Sequence, residues 1–140
     1  MKKQLWAYLP AIYIVFVFVQ SLFFKFSGAA ESVYIFQTIE DWSGLGFFEP
    51  VMRILVGGSE LIASILLLIP GTQALGALLA LVVISGAIFF HLFSPLGIVV
   101  HNDGGLLFIM ALGVLAAALC VLYVRRSLLC SLIHAVTRRS

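Results

Sequence analysis

The sequence predicts an all-α integral membrane protein, a four-transmembrane-helix bundle that forms a single membrane domain over residues 1–140. Hydrophobic residues make up 63% of the chain and charged residues 10%, and the mean hydropathy is +1.19. So few polar side chains could not cover a soluble globule. Four apolar stretches, residues 5–26, 51–69, 74–93 and 106–124, each supply the roughly 20 residues that a helix needs to cross a bilayer. Their unbroken apolar character excludes the alternating pattern of a transmembrane barrel.

The first apolar stretch has features of a cleavable signal peptide. It follows Lys2 and Lys3, and small residues occupy positions 27–30. However, the run is about 22 residues long, whereas the apolar part of a signal peptide has about 7–15, and Lys25 interrupts the approach to the small residues. The pattern therefore favours a retained membrane span.

The charges at the two ends of the chain predict its orientation. Lys2 and Lys3 precede the first span, and two arginine pairs, at 125–126 and 138–139, follow the last. Because basic residues accumulate on the cytoplasmic side, both termini are expected to be cytoplasmic. All six acidic residues fall towards the opposite side, where the longer connections 27–50 and 94–105 are expected. The net charge of +2 is thus a topology signal, and it does not indicate nucleic-acid binding.

Two segments outside the spans carry a helical pattern. Val33, Phe36 and Ile39 recur every three residues in the first outer connection, which predicts a short amphipathic helix there, and Trp42, Phe47 and Phe48 after it are typical of a membrane boundary. Apolar residues at helical spacing within the tail 125–140, bracketed by its arginines, predict an interfacial helix on the inner membrane surface.

The polar residues that remain within or beside the spans all fall towards the outer half of the bundle. Glu60 lies about nine residues into the second span, roughly 13 Å from its outer edge. A charged group at the centre of a span costs about 2.5–3.5 kcal/mol, so such groups are usually paired or functional. The candidates for ligand binding or proton relay are Glu60, Lys25, His91, Arg53 and Asp103, with Gln20, His101 and Asn102 as secondary candidates.

These residues predict a polar cavity with Glu60 at its floor and Lys25, Arg53, His91 and Asp103 around its walls. An equally strong alternative is a structural ion-pair network, in which Glu60 pairs with Lys25 or Arg53 and only fixes the packing of the helices. Asp103 also has a simpler explanation, because Asp before two glycines and an apolar run is a good helix cap.

Metal binding and self-contained catalysis receive little support from the sequence. His91 and His101 are ten residues apart, which matches no local zinc motif, so no metal ligand is assigned. Cys120 and Cys130 form no C-x-x-C pair, and the chain lacks the cysteine sets of iron–sulfur clusters and any haem-attachment signature. No hydrolase, nucleotide-binding or dinucleotide motif is present, so whether the protein is an enzyme stays open.

Four segments together resemble the DoxX family of small four-helix bacterial inner-membrane proteins. They are Phe-Phe-Lys-Phe-Ser-Gly-Ala at 23–29, Gly-Gly-Ser-Glu-Leu at 57–61, Ile-Phe-Phe-His at 88–91 and Asn-Asp-Gly-Gly at 102–105. The resemblance covers nearly the whole chain and implies a multi-pass protein of the bacterial inner membrane. The resemblance implies functional roles for four residues of this chain, Glu60, Lys25, His91 and Asp103. However, many members place the lysine after the glycine that corresponds to Gly28.

The family resemblance implies redox work linked to quinones or thiols. The first hypothesis is therefore a redox-associated membrane subunit that holds a quinone or another small hydrophobic molecule in the cavity, with electrons coming from a bound cofactor or from a membrane or periplasmic redox partner protein. The alternative is a non-catalytic membrane protein that assembles with or anchors a partner. A small-molecule transporter and a metal-binding membrane protein are further alternatives, and a homo-oligomer stays open.

Overall fold

The computed structural model describes residues 2–139, which are mostly helical with no strand among them. This confirms the predicted all-α fold. A π-helical turn at Phe48–Met52 leads into the fourth helix. The helices are α1 (Lys2–Leu5), α2 (Tyr8–Ser27), α3 (Ala30–Ser43), α4 (Arg53–Leu68), α5 (Gln73–Phe93), α6 (Leu106–Val124) and α7 (Arg126–Thr137).

Four helical segments are long and apolar enough to cross a membrane: Lys2–Ser27, Phe48–Leu68, Gln73–Phe93 and Leu106–Val124. They match the predicted spans with small shifts at their ends. The first is interrupted by a turn at residues 6–7, which separates α1 from α2. The second enters through the π-helical turn, because Glu49 precedes a proline and has an extended backbone, so the regular helix begins only at Arg53.

The spans pack as an up-down-up-down bundle in which α2 and α5 each contact both α4 and α6. Large apolar side chains such as Phe16, Val82 and Ile109 remain more than 60% exposed on its outside, as expected for a surface in contact with lipid. We call the end that carries the 69–72 turn and residues 2–5 and 125–139 the basic end. The end that carries α3, the π-helical turn and the 94–105 connection is the acidic end.

Small residues bring the helices close together towards the basic end. Ala63, Ala77, Ala80 and Ala118 are fully buried there. A Cβ atom added at Gly76 would lie 2.7 Å from the backbone nitrogen of Leu67, so α4 and α5 could not approach so closely with any larger residue. Because lipid provides no hydrophobic drive between helices, such contacts are a main source of bundle stability.

The amphipathic helix predicted for the first outer connection is present as α3. The chain turns into it at Gly28, whose φ of +66° is one that glycine adopts without strain. Phe36 and Ile39 of α3 are buried against Phe48 of the π-helical turn. The placement of Phe48 differs from the boundary position expected for it: its ring packs edge-on against Phe90, 5.6 Å between centroids, inside the bundle.

The C-terminal helix α7 contacts α5 and α6 and has no buried residue. It occupies most of the tail in which the sequence predicted an interfacial helix. The final residue of that tail, Ser140, lies outside the described residues.

Candidate binding cavity in the acidic half of the bundle

The acidic half of the bundle encloses a cavity of about 520 Å³, a size suited to a small-molecule ligand. All four spans and α3 contribute to its lining, which is mostly apolar. Five of the eight candidates from the sequence lie on its wall: Gln20, Lys25, Glu60, His91 and Asp103. The edge of the cavity is marked by the lining side chains that are exposed, which lie on α2, α3, α5 and α6: Gln20, Phe24, Glu31, Val82 and Leu106.

An ion pair joins α2 to α4 on the wall of the cavity. Lys25 Nζ lies 3.1 Å from Glu60 Oε1, and Ser21 Oγ donates a hydrogen bond to the same oxygen over 3.4 Å. Lys25 also donates to Ser21, which lies one helical turn earlier on α2. We call Ser21, Lys25 and Glu60 the acidic-end cluster.

The second carboxylate oxygen of Glu60 finds no hydrogen-bond partner in the described part of the chain. Among residues 2–139, Glu60 Oε2 is the only buried side-chain nitrogen or oxygen atom in this situation. The residue is 5% exposed, and Ser64 bonds to its backbone carbonyl and not to its carboxylate. An unpaired buried polar atom is costly, so Oε2 is an acceptor suited to a donor group placed in the cavity.

His91 presents one defined ring nitrogen for a further contact. Its Nδ1 lies 2.7 Å from the backbone oxygen of Gly97. Because a carbonyl oxygen can only accept, Nδ1 must carry the hydrogen, and in the neutral ring Nε2 is then an acceptor. The ring also packs edge-on against Phe108, with 5.6 Å between centroids.

Asp103 lines the cavity but uses its carboxylate to hold the start of α6. Oδ1 accepts hydrogen bonds from the backbone N–H groups of Val100 and Gly105, and Oδ2 accepts one from Leu107. The bond from Leu107, together with those from the other two amides, holds the pKa of this carboxyl below its usual value. The capping explanation of Asp103 therefore describes the contacts that it makes.

Arg53 does not line the cavity. Its Nη2 lies 2.8 Å from Glu49 Oε1, its Nε bonds to both oxygens of that carboxylate, and its Nη1 donates to the backbone oxygen of Lys25. Glu49 is four residues away, whereas Glu60 is two turns away on the same helix. Arg53 therefore satisfies a carbonyl at the end of α2, which supports the helix that carries Lys25.

His101 and Asn102 also lie outside the cavity wall. Both have positive φ angles, 49° and 60°, in the turn before α6. His101 stacks on Tyr34 of α3, with 4.2 Å between ring centroids, and so connects this turn to α3. No group of three or more His, Cys, Asp or Glu side chains between residues 2 and 139 is arranged to hold a metal ion.

Two further polar residues of the cavity were not among the candidates from the sequence. Glu31 and Ser32, in the first turn of α3, line it as well, and Ser32 is 6% exposed. The signal for Ser32 was the buried face of α3, since it lies four residues before Phe36 and seven before Ile39. Placing that face over the cavity required the tertiary structure.

A second buried polar group, also not predicted, lies at the basic end. Gln73 is fully buried; its Nε2 donates to the backbone oxygen of Leu67 over 3.0 Å, and its Oε1 accepts from Arg125 Nε over 2.6 Å. The Arg125 guanidinium lies 5.9 Å from the ring centre of Tyr8. We call Tyr8, Gln73 and Arg125 the basic-end cluster. A glutamine at the start of a span and an arginine at the end of another were its sequence signals.

Comparison with known protein families gives one match. The sequence model of a family described as the DoxX-like family matches residues 15–95. No curated protein and no solved structure matches the chain. The matched segment covers more than half of the 140 residues and contains Lys25, Glu60 and His91 of the cavity wall. The chain therefore belongs to the DoxX-like family of membrane proteins.

Proposed function

We propose that the protein is a redox-associated membrane subunit that binds a quinone, or a similar small hydrophobic molecule with a polar ring, in the cavity of the acidic half. The observation that carries this proposal is Glu60 Oε2, an unpaired and buried acceptor on the wall of a mostly apolar space of about 520 Å³. Ligand sites of this kind combine an apolar lining with a few convergent polar groups.

The residues on the wall provide hydrogen-bonding groups for both forms of the ring, the quinone and the quinol. Glu60 Oε2 accepts a hydrogen bond from a ligand hydroxyl. Lys25 uses two of its three ammonium hydrogens on Ser21 and Glu60 and keeps one for a ligand carbonyl. When bound, such a ring supplies two-electron, two-proton chemistry to the protein.

The acidic-end cluster provides a route for the proton. Glu60 is connected through Ser21 to Lys25, whose side chain is 13% exposed compared with 6% for Glu60. Lys25 is also one turn nearer to the acidic end than Ser21. The cluster thus links the cavity to the more accessible end of the bundle, as a proton relay requires. A membrane or periplasmic partner protein would supply or remove the electrons.

The distribution of lysines and arginines supports a particular orientation of the protein in the bacterial inner membrane. The basic end collects six of the eight lysines and arginines, and positively charged flanks remain on the cytoplasmic side of bacterial inner membranes. We therefore place both termini in the cytoplasm and the cavity in the periplasmic half of the membrane. Cysteine labelling with a membrane-impermeant reagent tests this in a background in which Cys120 and Cys130 are replaced by serine and one cysteine is introduced at Gln37 or at Arg138. Labelling of position 138 from the periplasmic side would contradict it.

The test of ligand binding is mass spectrometry of small molecules extracted from the protein in nanodiscs made from bacterial lipids. We expect a stoichiometric quinone with the native protein, and its loss with Glu60→Gln, which removes the carboxylate but keeps the shape. Asp41→Asn is the matched control, because Asp41 is an exposed carboxylate that bonds to Gln37 away from the cavity. Equal quinone content in Glu60→Gln and Asp41→Asn would contradict the proposal.

The 3.1 Å ion pair of Lys25 and Glu60 favours one alternative, a non-catalytic protein that assembles with or anchors a partner. In that case the pair would only join α2 to α4. The double variant Lys25→Met with Glu60→Gln would then keep its biological function and change only its thermal stability. Loss of function in a double variant that is still folded would contradict this alternative.

A further inference from the structure

The basic end contains a second, smaller cavity of about 210 Å³, lined by Gln4, Leu5, Tyr8, Pro70 and Arg125. It shares no residue with the cavity that contains Glu60. Arg125 is the charged residue of this lining, and it follows directly after the last residue of α6. Because α6 is a membrane span, the guanidinium is expected at the level of the lipid headgroups.

The Arg125 side chain is held in place by several helices. It is 7% exposed, its Nε donates to Gln73 of α5, and its guanidinium lies near the Tyr8 ring of α2. Gln73 is itself fixed by its bond to the carbonyl of Leu67 at the end of α4. A guanidinium that is already oriented loses little freedom when it binds an anion, which favours binding.

Within the described part of the chain, the positive charge of Arg125 has no acidic partner. The two ion pairs within residues 2–139 are Lys25–Glu60 and Arg53–Glu49, both towards the acidic end. Gln73 and Tyr8 are neutral, and Gln73 uses only the Nε hydrogen of Arg125. The hydrogens on Nη1 and Nη2 form the planar fork that binds phosphate. A largely buried cation without an anion is unfavourable, so the site is suited to an anionic ligand.

We propose that this pocket, which we call the Arg125 site, binds the phosphate of an anionic phospholipid headgroup. The fork of Arg125 contacts the phosphate oxygens, while the apolar side chains of Leu5 and Pro70 lie beside the glycerol region of the lipid. The exposed residues Lys2, Lys3 and Arg126 add to the positive charge of this end of the bundle. Free phosphate shares the same chemistry, and the experiment below distinguishes the two sources.

The test uses the full-length protein in phosphatidylcholine nanodiscs with and without phosphatidylglycerol, and native mass spectrometry to count the lipids that stay bound after release. Arg125→Gln and Arg138→Gln each remove one positive charge, and Arg138 is exposed in the tail. We expect preferential retention of phosphatidylglycerol to fall at least about tenfold in Arg125→Gln, because the fork is lost. In Arg138→Gln it should fall about fivefold or less, the effect of one surface charge.

Two results would overturn the proposal. Equal losses in the two variants would show that the lipid preference is general surface electrostatics. Stabilisation of the phosphatidylcholine-embedded protein by inorganic phosphate, lost in Arg125→Gln and combined with no preference for phosphatidylglycerol, would assign the site to free phosphate.

A second variant keeps the test decisive if Arg125→Gln fails to fold. Arg125→Lys retains the charge but lacks the planar fork, so retention of phosphatidylglycerol should still fall by about fivefold. Unchanged retention in Arg125→Lys would contradict binding through the fork. Since the two cavities share no residue, this outcome is independent of whether the cavity around Glu60 holds a quinone.

Discussion

The buried Gln73 amide of the basic-end cluster and the buried Glu60 carboxylate of the acidic-end cluster differ in how fully the protein satisfies their hydrogen bonds. In the basic-end cluster, both ends of the Gln73 amide are hydrogen-bonded, and the helices around it pack through alanine and glycine. In the acidic-end cluster, Lys25 and Glu60 pair, but Glu60 Oε2 is left without a partner beside a large cavity. The amide that joins α4, α5 and α6 is therefore saturated by the protein, whereas the carboxylate that faces the cavity retains a free bonding position.

The strongest way to test this comparison is to remove one member of the Lys25–Glu60 pair. Lys25→Met should lower the free energy of unfolding by about 3–5 kcal/mol, because it leaves a buried carboxylate without its counter-ion. The double variant with Glu60→Gln should recover most of this loss. Denaturant unfolding in mixed micelles measures both. If the double variant is as unstable as the sum of the two single variants, the residues are not coupled.

Removal of the Gln73 amide should affect stability but not ligand binding. Gln73→Leu leaves the Leu67 carbonyl and the Arg125 Nε hydrogen unpaired in a buried position, which we expect to cost about 3 kcal/mol. Quinone content per folded protein should stay at the native value. Gln37→Leu on the exposed face of α3 is the control, with a change within about 0.5 kcal/mol. A loss of quinone from folded Gln73→Leu would show that the two clusters are not separate.

Two alanines of α5 test whether the helices pack more closely in the basic half of the bundle than around the cavity. Ala80 is fully buried among close helices, so Ala80→Leu should destabilise the protein by about 1–3 kcal/mol through overpacking. Ala87 lies two turns later on the cavity wall, where Ala87→Leu has space to occupy. We expect Ala87→Leu to reduce quinone content with little change in thermal stability. Equal destabilisation by both substitutions would contradict the difference in packing between the two halves.

The smallest expected effect is the change in the pH dependence of stability when Asp103 is replaced. Its folded pKa lies below the ordinary value of 3.8, so its contribution to stability is complete above about pH 3.8 and is lost as the pH falls through the folded pKa. Asp103→Asn should cost about 1 kcal/mol or less near neutral pH, because asparagine also caps helices, and should remove this acid dependence. Thermal unfolding of both proteins from pH 6 down to about pH 3 measures the difference. Parallel curves would contradict the assigned role.

Hydropathy alone located the four spans. In lipid each span must satisfy its backbone polar groups within one helix, so it appears in the sequence as one long run of apolar residues. The details that it missed depend on local chemistry. The π-helical turn before Arg53 follows from Glu49 and its neighbouring proline, and the start of α2 moves to Tyr8 after a turn that no charge or glycine signals.

The site was predictable where a residue had few alternatives. Glu60 inside a span required a partner, for which the sequence offered Lys25 or Arg53, and the structure pairs it with Lys25 of the first span. Arg53 lies off the cavity wall because it pairs with Glu49, four residues away, and not with Glu60, seven residues away. The contact of Gln73 with Arg125 joins residues 52 positions apart, and only the order of helices around the bundle reveals it.

The hydrogen bond between Gln73 and Arg125 also limits the order in which the contacts of the bundle can form during synthesis. Gln73 enters the membrane at the start of the third span, whereas Arg125 is synthesised 52 residues later, after the fourth span. Until then, the Oε1 atom of Gln73 lacks the partner that it has in the finished protein. The hydrogen bond between Arg125 and Gln73 can therefore form only after all four spans have been synthesised, which makes it one of the last contacts of the basic end to be completed.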